Sequence, residues 1–138
     1  MFLLDTDVLS ALRKRKRHPE IARWVEQQRS ADLYLSVVSI GEIERGIERQ
    51  RRRDPVHAQA LAAWLDRVLM LYGERILAVD MPAARRWGRL SGSLGLEGAD
   101  LLIAATALEH GLTVVTRNVR HFAPSGVPVF DPSSTDAM

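Results

Sequence analysis

Short apolar runs alternate along the chain with longer stretches in which apolar residues recur every three or four positions. Residues 2–4 are apolar without alternation, which is typical of a strand buried on both faces. Further runs predict strands over 33–37, 75–79, 112–116 and 126–130. Because helical patterns separate these strands, the chain is predicted to be an α/β protein, a three-layer sandwich with a central, mostly parallel sheet.

Helical spacing of apolar residues is clearest in the middle of the chain. It predicts helices over 39–53 and 55–73, which together form a helical hairpin insertion around 39–73. A third helix, apolar on most sides and therefore buried, is predicted from about residue 98 to Gly111. The glycines over 88–98 predict the end of one helix followed by a loop.

Length and composition narrow the class of protein. The 138 residues predict a single domain over 1–132, followed by a polar tail over 133–138. The absence of cysteine excludes disulfide scaffolds, thiolate metal sites and cysteine nucleophiles. No uninterrupted apolar stretch reaches about 18 residues, so we expect a cytoplasmic protein without membrane contact.

Basic residues are concentrated in two short segments, although the formal net charge is only +2. Arg13–Arg17 is an unbroken run of five, and Arg49–Arg53 contains four arginines. Dense like charge does not pack, so each segment is a solvated surface or a contact for a polyanion such as nucleic acid. The pattern alone leaves both interpretations open.

Polar residues follow several of the predicted strands. Asp5 follows the first, Glu42 lies in the helix after the second, Asp100 begins the buried helix, and Asn118 follows the fourth strand. Parallel strands place these positions at one edge of the sheet, where carboxylates repel unless a hard cation such as Mg²⁺ or Mn²⁺ binds them. The other interpretation is that they are separate helix caps, and Asp7 is predicted to cap a helix beginning at Val8.

Three segments, taken in chain order, add information that the spacing of apolar and polar residues does not give. They read LLDTDVLS over 3–10, VSIGEIERG over 38–46 and ADLLIAATALEHGLTVVTRNVRHF over 99–122. Together they resemble the PIN-domain family, and most of all its VapC-type toxins from bacterial toxin–antitoxin pairs. The resemblance implies a PIN-like fold and a Mg²⁺- or Mn²⁺-dependent endoribonuclease in which metal-activated water hydrolyses RNA.

The resemblance also implies roles for individual residues. The family's first, second and third catalytic acids fall on Asp5, Glu42 and Asp100, which would bind the metal ion. The fourth position departs from the family, because Asn118 and His121 stand where many members have an aspartate. With no carboxylate over 110–130, the resemblance leaves the number of metal ions open.

Other polar side chains near these positions are predicted to support the site or hold its ligands. His121 is either a phosphate contact or an ordinary surface histidine, and Asn118 is a candidate ligand through its amide oxygen. The candidate supports are Thr6, Asp7, Thr116 and His121. The candidate contacts for RNA or for a protein partner are Arg117, Arg13, Lys14, Arg51 and Arg52.

The partners implied by the resemblance are RNA, a small VapB-like antitoxin, and operator DNA reached only through that antitoxin. Such proteins are commonly homodimers. Two alternatives remain: a non-catalytic PIN protein that binds nucleic acid in a regulatory role, and a PIN ribonuclease that processes RNA without an antitoxin.

Overall fold

Five parallel strands form the centre of this computed structural model, which describes residues 1–133. The strands are β1 (Phe2–Leu4), β2 (Leu33–Ser36), β3 (Ile76–Leu77), β4 (Thr113–Val115) and β5 (Val129–Phe130). Their order in the sheet is β3-β2-β1-β4-β5, so the first strand lies in the middle. Leu3 pairs with Tyr34 on one side and with Val114 on the other.

Helices connect the strands and cover both faces of the sheet. They are α1 (Thr6–Arg13), α2 (Pro19–Gln27), α3 (Val37–Arg53), α4 (Pro55–Tyr72), α5 (Met81–Leu94), α6 (Ala99–His110) and α7 (Val119–Phe122). Because all the strand pairs are parallel, the carboxyl ends of the strands lie at one edge. Such an edge is where ligands bind in open α/β sheets.

The sheet separates two hydrophobic cores. Leu4 points toward a core that contains Leu9 and Ile21 of α1 and α2. Leu3, one residue earlier, points to the opposite face and packs with Ile103 and other residues of α6. Both leucines are fully buried, as the uninterrupted apolar run of β1 indicated. The predicted three-layer α/β fold is therefore confirmed, and the described part of the sheet is entirely parallel.

The helical hairpin is also confirmed, with slightly different bounds. α3 begins at Val37, two residues before the predicted start, because the Ser36 hydroxyl accepts the N–H of Val38 and caps the helix. Glu42 consequently lies in the second turn of α3. Ile47 of α3 packs against Leu65 of α4, which holds the two helices together.

The predicted helix cap at Asp7 is wrong. α1 begins at Thr6, and Asp5 is its N-cap, with extended backbone angles (φ −75°, ψ 170°). Two acids stand two positions apart, and either has the side chain of an N-cap. Asp5 caps the helix because its own N–H is bonded to the carbonyl of Val115, which fixes it at the end of the strand.

The predicted loop over the glycine-rich segment is also wrong in its first half. α5 continues through Gly88 and Gly92 to Leu94, and Gly95 ends it in the left-handed conformation (φ 68°). Each helical glycine costs about 1 kcal/mol relative to alanine. Packing of α5 along α6 offsets this cost, with an ion pair of 2.7 Å between Arg86 and Glu109.

Two further expectations concern the chain as a whole. Among residues 1–133, no helix combines the length and the apolar character that crossing a membrane requires. The predicted polar tail falls almost entirely on residues 134–138, which lie outside the described part of the chain.

Candidate active site

Asp5 lies at the carboxyl end of the central strand and is 3% exposed. Its Oδ1 accepts the N–H of Val8 at 2.8 Å, and its Oδ2 accepts the hydroxyl of Thr116 at 2.6 Å. Thr116 follows β4, the neighbouring strand, and is itself fully buried. The first turn of α1 and the end of the neighbouring strand therefore hold this carboxylate in a fixed orientation from two sides.

The electrostatic surroundings of Asp5 are unfavourable for its charge. Burial raises the pKa of Asp5 from 3.8 to about 6, although the bonds from Thr116 and Val8 act in the opposite direction. The negative charges of Asp7 and Asp100 raise the pKa further. No side-chain cation within residues 1–133 forms an ion pair with Asp5. The ionised carboxylate is thus buried without a direct ion-pair partner, although its charge raises the pKa of Arg117.

Glu42 is brought to the same edge by the residue next to Asp5. The Thr6 hydroxyl donates to Oε1 of Glu42 at 2.6 Å, and it lies 2.7 Å from the hydroxyl of Ser39. Ser39 is fully buried one turn before Glu42 on α3. Thr6 therefore joins α1 to α3 and fixes the carboxylate of Glu42, which is otherwise exposed to solvent.

Asp100 occupies the first turn of α6, where the N-terminal end of the helix favours negative charge. Its Oδ2 lies 3.2 Å from Nδ1 of His121, and both side chains are about half exposed. Asp100 and His121, both predicted from the sequence to lie near the site, are therefore in contact with each other. The effect of Asp100 on the pKa of Asp5 shows that the two carboxylates are close enough to interact.

Arg117 links the loop after β4 to the beginning of α1. Its guanidinium donates two hydrogen bonds to Asp7, at 2.7 and 2.8 Å, and its Nη1 lies 3.2 Å from Nδ1 of His18. The hydrogen bond to Asp7 raises the pKa of Arg117 above its ordinary value. Asp7 is therefore neither a helix cap nor a free charge, because Arg117 neutralises it.

Asn118 contacts the site through its backbone. Its N–H donates to the hydroxyl of Thr116 at 2.8 Å, so Thr116 connects this loop to Asp5. The side-chain amide of Asn118 makes no hydrogen bond within the described residues. The predicted role of that amide as a ligand stays a prediction.

Apart from Arg117, the candidate basic contacts lie at the ends of two helices. Arg13 and Lys14 are at the end of α1, and Arg51 and Arg52 are at the end of α3. Arg51 forms an exposed ion pair with Glu48 at 2.8 Å. Arg13 and Lys14 line a groove together with His57, which lies in the first turn of α4, just after the end of α3.

The donor set at this edge suits a hard divalent cation. The three candidate acids supply carboxylate oxygens, Asn118 would add an amide oxygen, and Asp5 carries a buried charge that a cation would compensate. Within residues 1–133, no three histidine, aspartate or glutamate side chains are close enough together to enclose a metal ion. Magnesium sites nevertheless often use only one or two carboxylates, the other ligands being waters and phosphate oxygens. Asp5 and Asp100 are two carboxylates of the kind such a site uses, and Thr6 links Glu42 to the residue next to Asp5.

Sequence reasoning missed three polar residues near the site. Ser39 lies within the VSIGEIERG segment and His18 follows the basic run, but neither was assigned a role, and each is identified by its contact with Thr6 or Arg117. Asp131 follows β5 as Asp5 follows β1, and its charge raises the pKa of Arg117. Its position directly after a predicted strand was the signal that could have identified it.

Comparison with known proteins gives a family match over most of the chain. The model of the PIN domain matches residues 2–124. Two relatives align with 96% of the chain at 30% identity. They are toxin FitB from Neisseria gonorrhoeae, of which 98% is covered, and VapC ribonuclease Y4jK from Sinorhizobium fredii, of which 97% is covered.

A solved structure agrees with the fold over the same extent. The structure of FitAB bound to an IR36 DNA fragment contains a chain with a TM-score of 0.81 and 29% sequence identity. The alignment covers 97% of the present chain and 96% of that chain. The likeness extends through the sheet, the hairpin and the edge that carries Asp5.

Proposed function

The chain belongs to the PIN-domain family, as its motifs indicated, and on this premise we propose that it is the toxin of a toxin–antitoxin pair. Its activity would be that of an endoribonuclease dependent on Mg²⁺ or Mn²⁺. Two relatives support this proposal by their names, one a toxin and the other a ribonuclease. The assignment to this chain rests on its own acidic edge, the edge of the sheet that carries Asp5, Glu42 and Asp100.

The single observation that carries the proposal is the environment of Asp5. A carboxylate that is 3% exposed, with no ion-pair partner within residues 1–133 and a pKa of about 6, is costly for folding. Proteins maintain such groups mainly at functional sites. A cation bound by Asp5 and Asp100 would compensate the buried charge of Asp5. It would also explain why two carboxylates lie at the same edge of the sheet.

The metal ion would be held by Asp5 and Asp100, with Glu42 as a third carboxylate at the same edge. When bound, such an ion supplies Lewis-acid chemistry: it lowers the pKa of a water molecule and neutralises charge on a phosphate. Thr116 and the N–H of Val8 orient Asp5 for this role. Thr6 orients Glu42, so two adjacent residues, Asp5 and Thr6, position both carboxylates.

The remaining polar residues would act on the RNA or on the site around it. Arg117 neutralises Asp7 and thereby limits the negative charge that a phosphate meets on approach. His121 and Asn118 flank the edge where the fourth acid of many family members lies. We assign His121 to a phosphate contact and Asn118 to a ligand or water contact.

The partners follow from the same proposal. A small antitoxin would hold the ribonuclease inactive, and the pair would bind operator DNA through the antitoxin. The DNA-bound FitAB complex supports this assembly by analogy. We also propose that the chain forms a homodimer, as the family resemblance implies.

The test is cleavage of RNA by the purified chain with Mg²⁺ or Mn²⁺, compared with EDTA. Asp5→Asn and Asp100→Asn should each abolish metal-dependent cleavage, because each removes a charged ligand. Asp66→Asn removes one exposed acid from α4, outside the candidate site, and should leave the rate unchanged. Cleavage that survives in EDTA, or in Asp5→Asn, would overturn the proposal.

A second candidate function is a PIN protein that binds nucleic acid without cleaving it. The observation in its favour is the missing fourth carboxylate, where Asn118 and His121 stand instead. Titration of Mn²⁺ by calorimetry separates the two functions. A nuclease should bind Mn²⁺ and lose that binding in Asp5→Asn, whereas a non-catalytic protein should bind Mn²⁺ weakly in both forms.

A further inference from the structure

The segment Arg13–Arg17 forms one wall of an open groove beside the beginning of α4. The groove has a volume of about 630 Å³ and is lined by these five residues and by His57. None of the lining side chains is apolar. The surface thus offers charge and hydrogen-bond donors, carried on the aliphatic stems of lysine and arginine side chains.

Four cations of this groove have no carboxylate partner within residues 1–133, and of these only Arg13 is half-buried. Arg15 is paired with Glu26 at 2.5 Å, so its charge is already compensated. Lys14, Lys16 and Arg17 are exposed and form no ion pair in the same described range. Their long side chains are free to follow a flexible polyanion.

The groove is connected to the acidic edge through one residue. His18 directly follows the basic segment, and its Nδ1 lies 3.2 Å from Arg117, which in turn holds Asp7 beside the candidate site. His18 and Arg117 thus place the end of the basic segment near Asp7 and the loop after β4. The second basic cluster, at the end of α3, lacks such a contact within the described residues.

The residues that line the groove favour a nucleic acid over an acidic peptide as its ligand. Peptides that dock on proteins usually insert aromatic or aliphatic anchors into pockets, and this groove has none. A nucleic-acid backbone needs only cations at its phosphates. The cluster at the end of α3 is also less suited, because Glu48 lies in its groove and is paired with Arg51.

We propose that Lys14, Lys16 and Arg17 bind backbone phosphates of single-stranded RNA, beyond the bond that is cleaved. This inference rests on the proposed ribonuclease function and adds to it a site of substrate capture. The contacts are independent of sequence, because they reach phosphates and not bases. They would raise the local concentration of RNA at the acidic edge.

The test is binding of a fluorescently labelled 12-nucleotide RNA in EDTA, measured by anisotropy over a range of salt concentrations. For a single strand, the slope of log K against log salt falls by about 0.7 for each lost phosphate contact. The triple variant Lys14→Gln, Lys16→Gln and Arg17→Gln should therefore reduce the slope by about 2. Its affinity at low salt should fall at least about tenfold.

Two matched variants make the result specific. Arg67→Gln, Arg85→Gln and Arg89→Gln remove the same charge from exposed positions of α4 and α5 and should leave the slope unchanged. Lys14→Arg, Lys16→Arg and Arg17→Lys keep the charge and should bind as the unaltered chain does. An equal loss in both glutamine variants would overturn the proposal, and so would a loss in the charge-conserving one.

The experiment separates this inference from the proposed function. Binding is measured without metal, so a chain that fails to cleave RNA still reports on the groove. Normal cleavage of RNA combined with an unchanged slope in the Lys14, Lys16 and Arg17 variant would overturn the inference alone. Displacement of the RNA by an acidic peptide at equal charge concentration would also overturn it, in favour of a protein partner.

Discussion

The hydroxyl of Thr116 donates a 2.6 Å hydrogen bond to Asp5, a carboxylate 111 residues earlier in the chain. The bond joins the ends of two adjacent strands, β1 and β4, below the surface of the protein. It is one of only two hydrogen bonds that the Asp5 carboxylate accepts within residues 1–133. The orientation of the candidate metal ligand therefore depends on one side chain, that of Thr116, together with the backbone N–H of Val8.

Replacing Thr116 by valine should destabilise the protein and disturb the site. Valine keeps the shape but leaves Oδ2 of Asp5 without a donor, which should cost about 2–3 kcal/mol at pH 7. Thr116→Ser retains the hydroxyl and serves as the control. Urea unfolding at pH 7 measures both variants, and equal stability of the two would contradict the structural role assigned to the hydroxyl.

Asp5 should make stability depend on pH in a defined window. Below pH 3.8 the carboxyl is protonated in both the folded and the unfolded chain. Between 3.8 and about 6 the unfolded chain has lost the proton that the folded chain retains, so the free energy of unfolding falls as pH rises. Above pH 6 the loss is complete, at about 3 kcal/mol.

Asp5→Asn should remove this dependence and stabilise the chain at pH 7. The gain should be about 1–2 kcal/mol, because the amide avoids the buried charge but bonds less well to Thr116. Unfolding in EDTA from pH 3.5 to 7.5 measures the difference between the two chains. A difference that does not change with pH would contradict the raised pKa of Asp5.

The Arg117–Asp7 pair should contribute measurably to stability. Its side chains are only 30% and 31% exposed, and its two hydrogen bonds match the geometry of guanidinium and carboxylate. A double-mutant cycle with Arg117→Gln and Asp7→Asn should give a coupling of about 1 kcal/mol. The Arg15–Glu26 pair, 61% and 59% exposed, is the control and should give less than about 0.5 kcal/mol.

Thr6 should affect catalysis more than stability. Thr6→Val removes the donor to Glu42 and should lower the rate of RNA cleavage at saturating Mg²⁺ by about tenfold or more. Thr6→Ser keeps the hydroxyl and should retain most of the rate. The bond to Glu42 is exposed, but Thr6→Val also leaves the buried hydroxyl of Ser39 without its partner, so thermal unfolding should shift more in the valine than in the serine variant. If the serine variant is as slow as the valine variant, the hydroxyl is not what positions Glu42.

Local patterns were sufficient for the elements that carry the site, and they failed where distant contacts decide the outcome. The apolar run before Asp5 correctly predicted a central buried strand. The N-cap was assigned to Asp7 because local rules treat the two acids alike. The bond that decides between them joins the N–H of Asp5 to the carbonyl of Val115, which lies 110 residues later in the sequence. The pairing of Asp7 with Arg117 could not be predicted from local sequence either, because these residues are also 110 positions apart.

The glycines of α5 show a second reason why prediction from local sequence fails. Gly88 and Gly92 lower the intrinsic helix propensity of that segment, and a loop was the reasonable local prediction. The helix forms because α6 packs along it, which is information that the segment itself does not contain. Residues whose structure depends on packing between helices are those that single-sequence reasoning assigns least well.

The central position of β1 has a consequence for how the chain is made. A ribosome produces β1 first, but one of its two neighbours, β4, emerges only after residue 115. At about 5–20 residues per second, the 111 residues from Asp5 to Thr116 take about 6–22 s to translate. Throughout that interval the nascent polypeptide lacks the partner strand and the threonine that orient Asp5. The candidate site therefore assembles only after β4 and Thr116 have been synthesised and have left the ribosome.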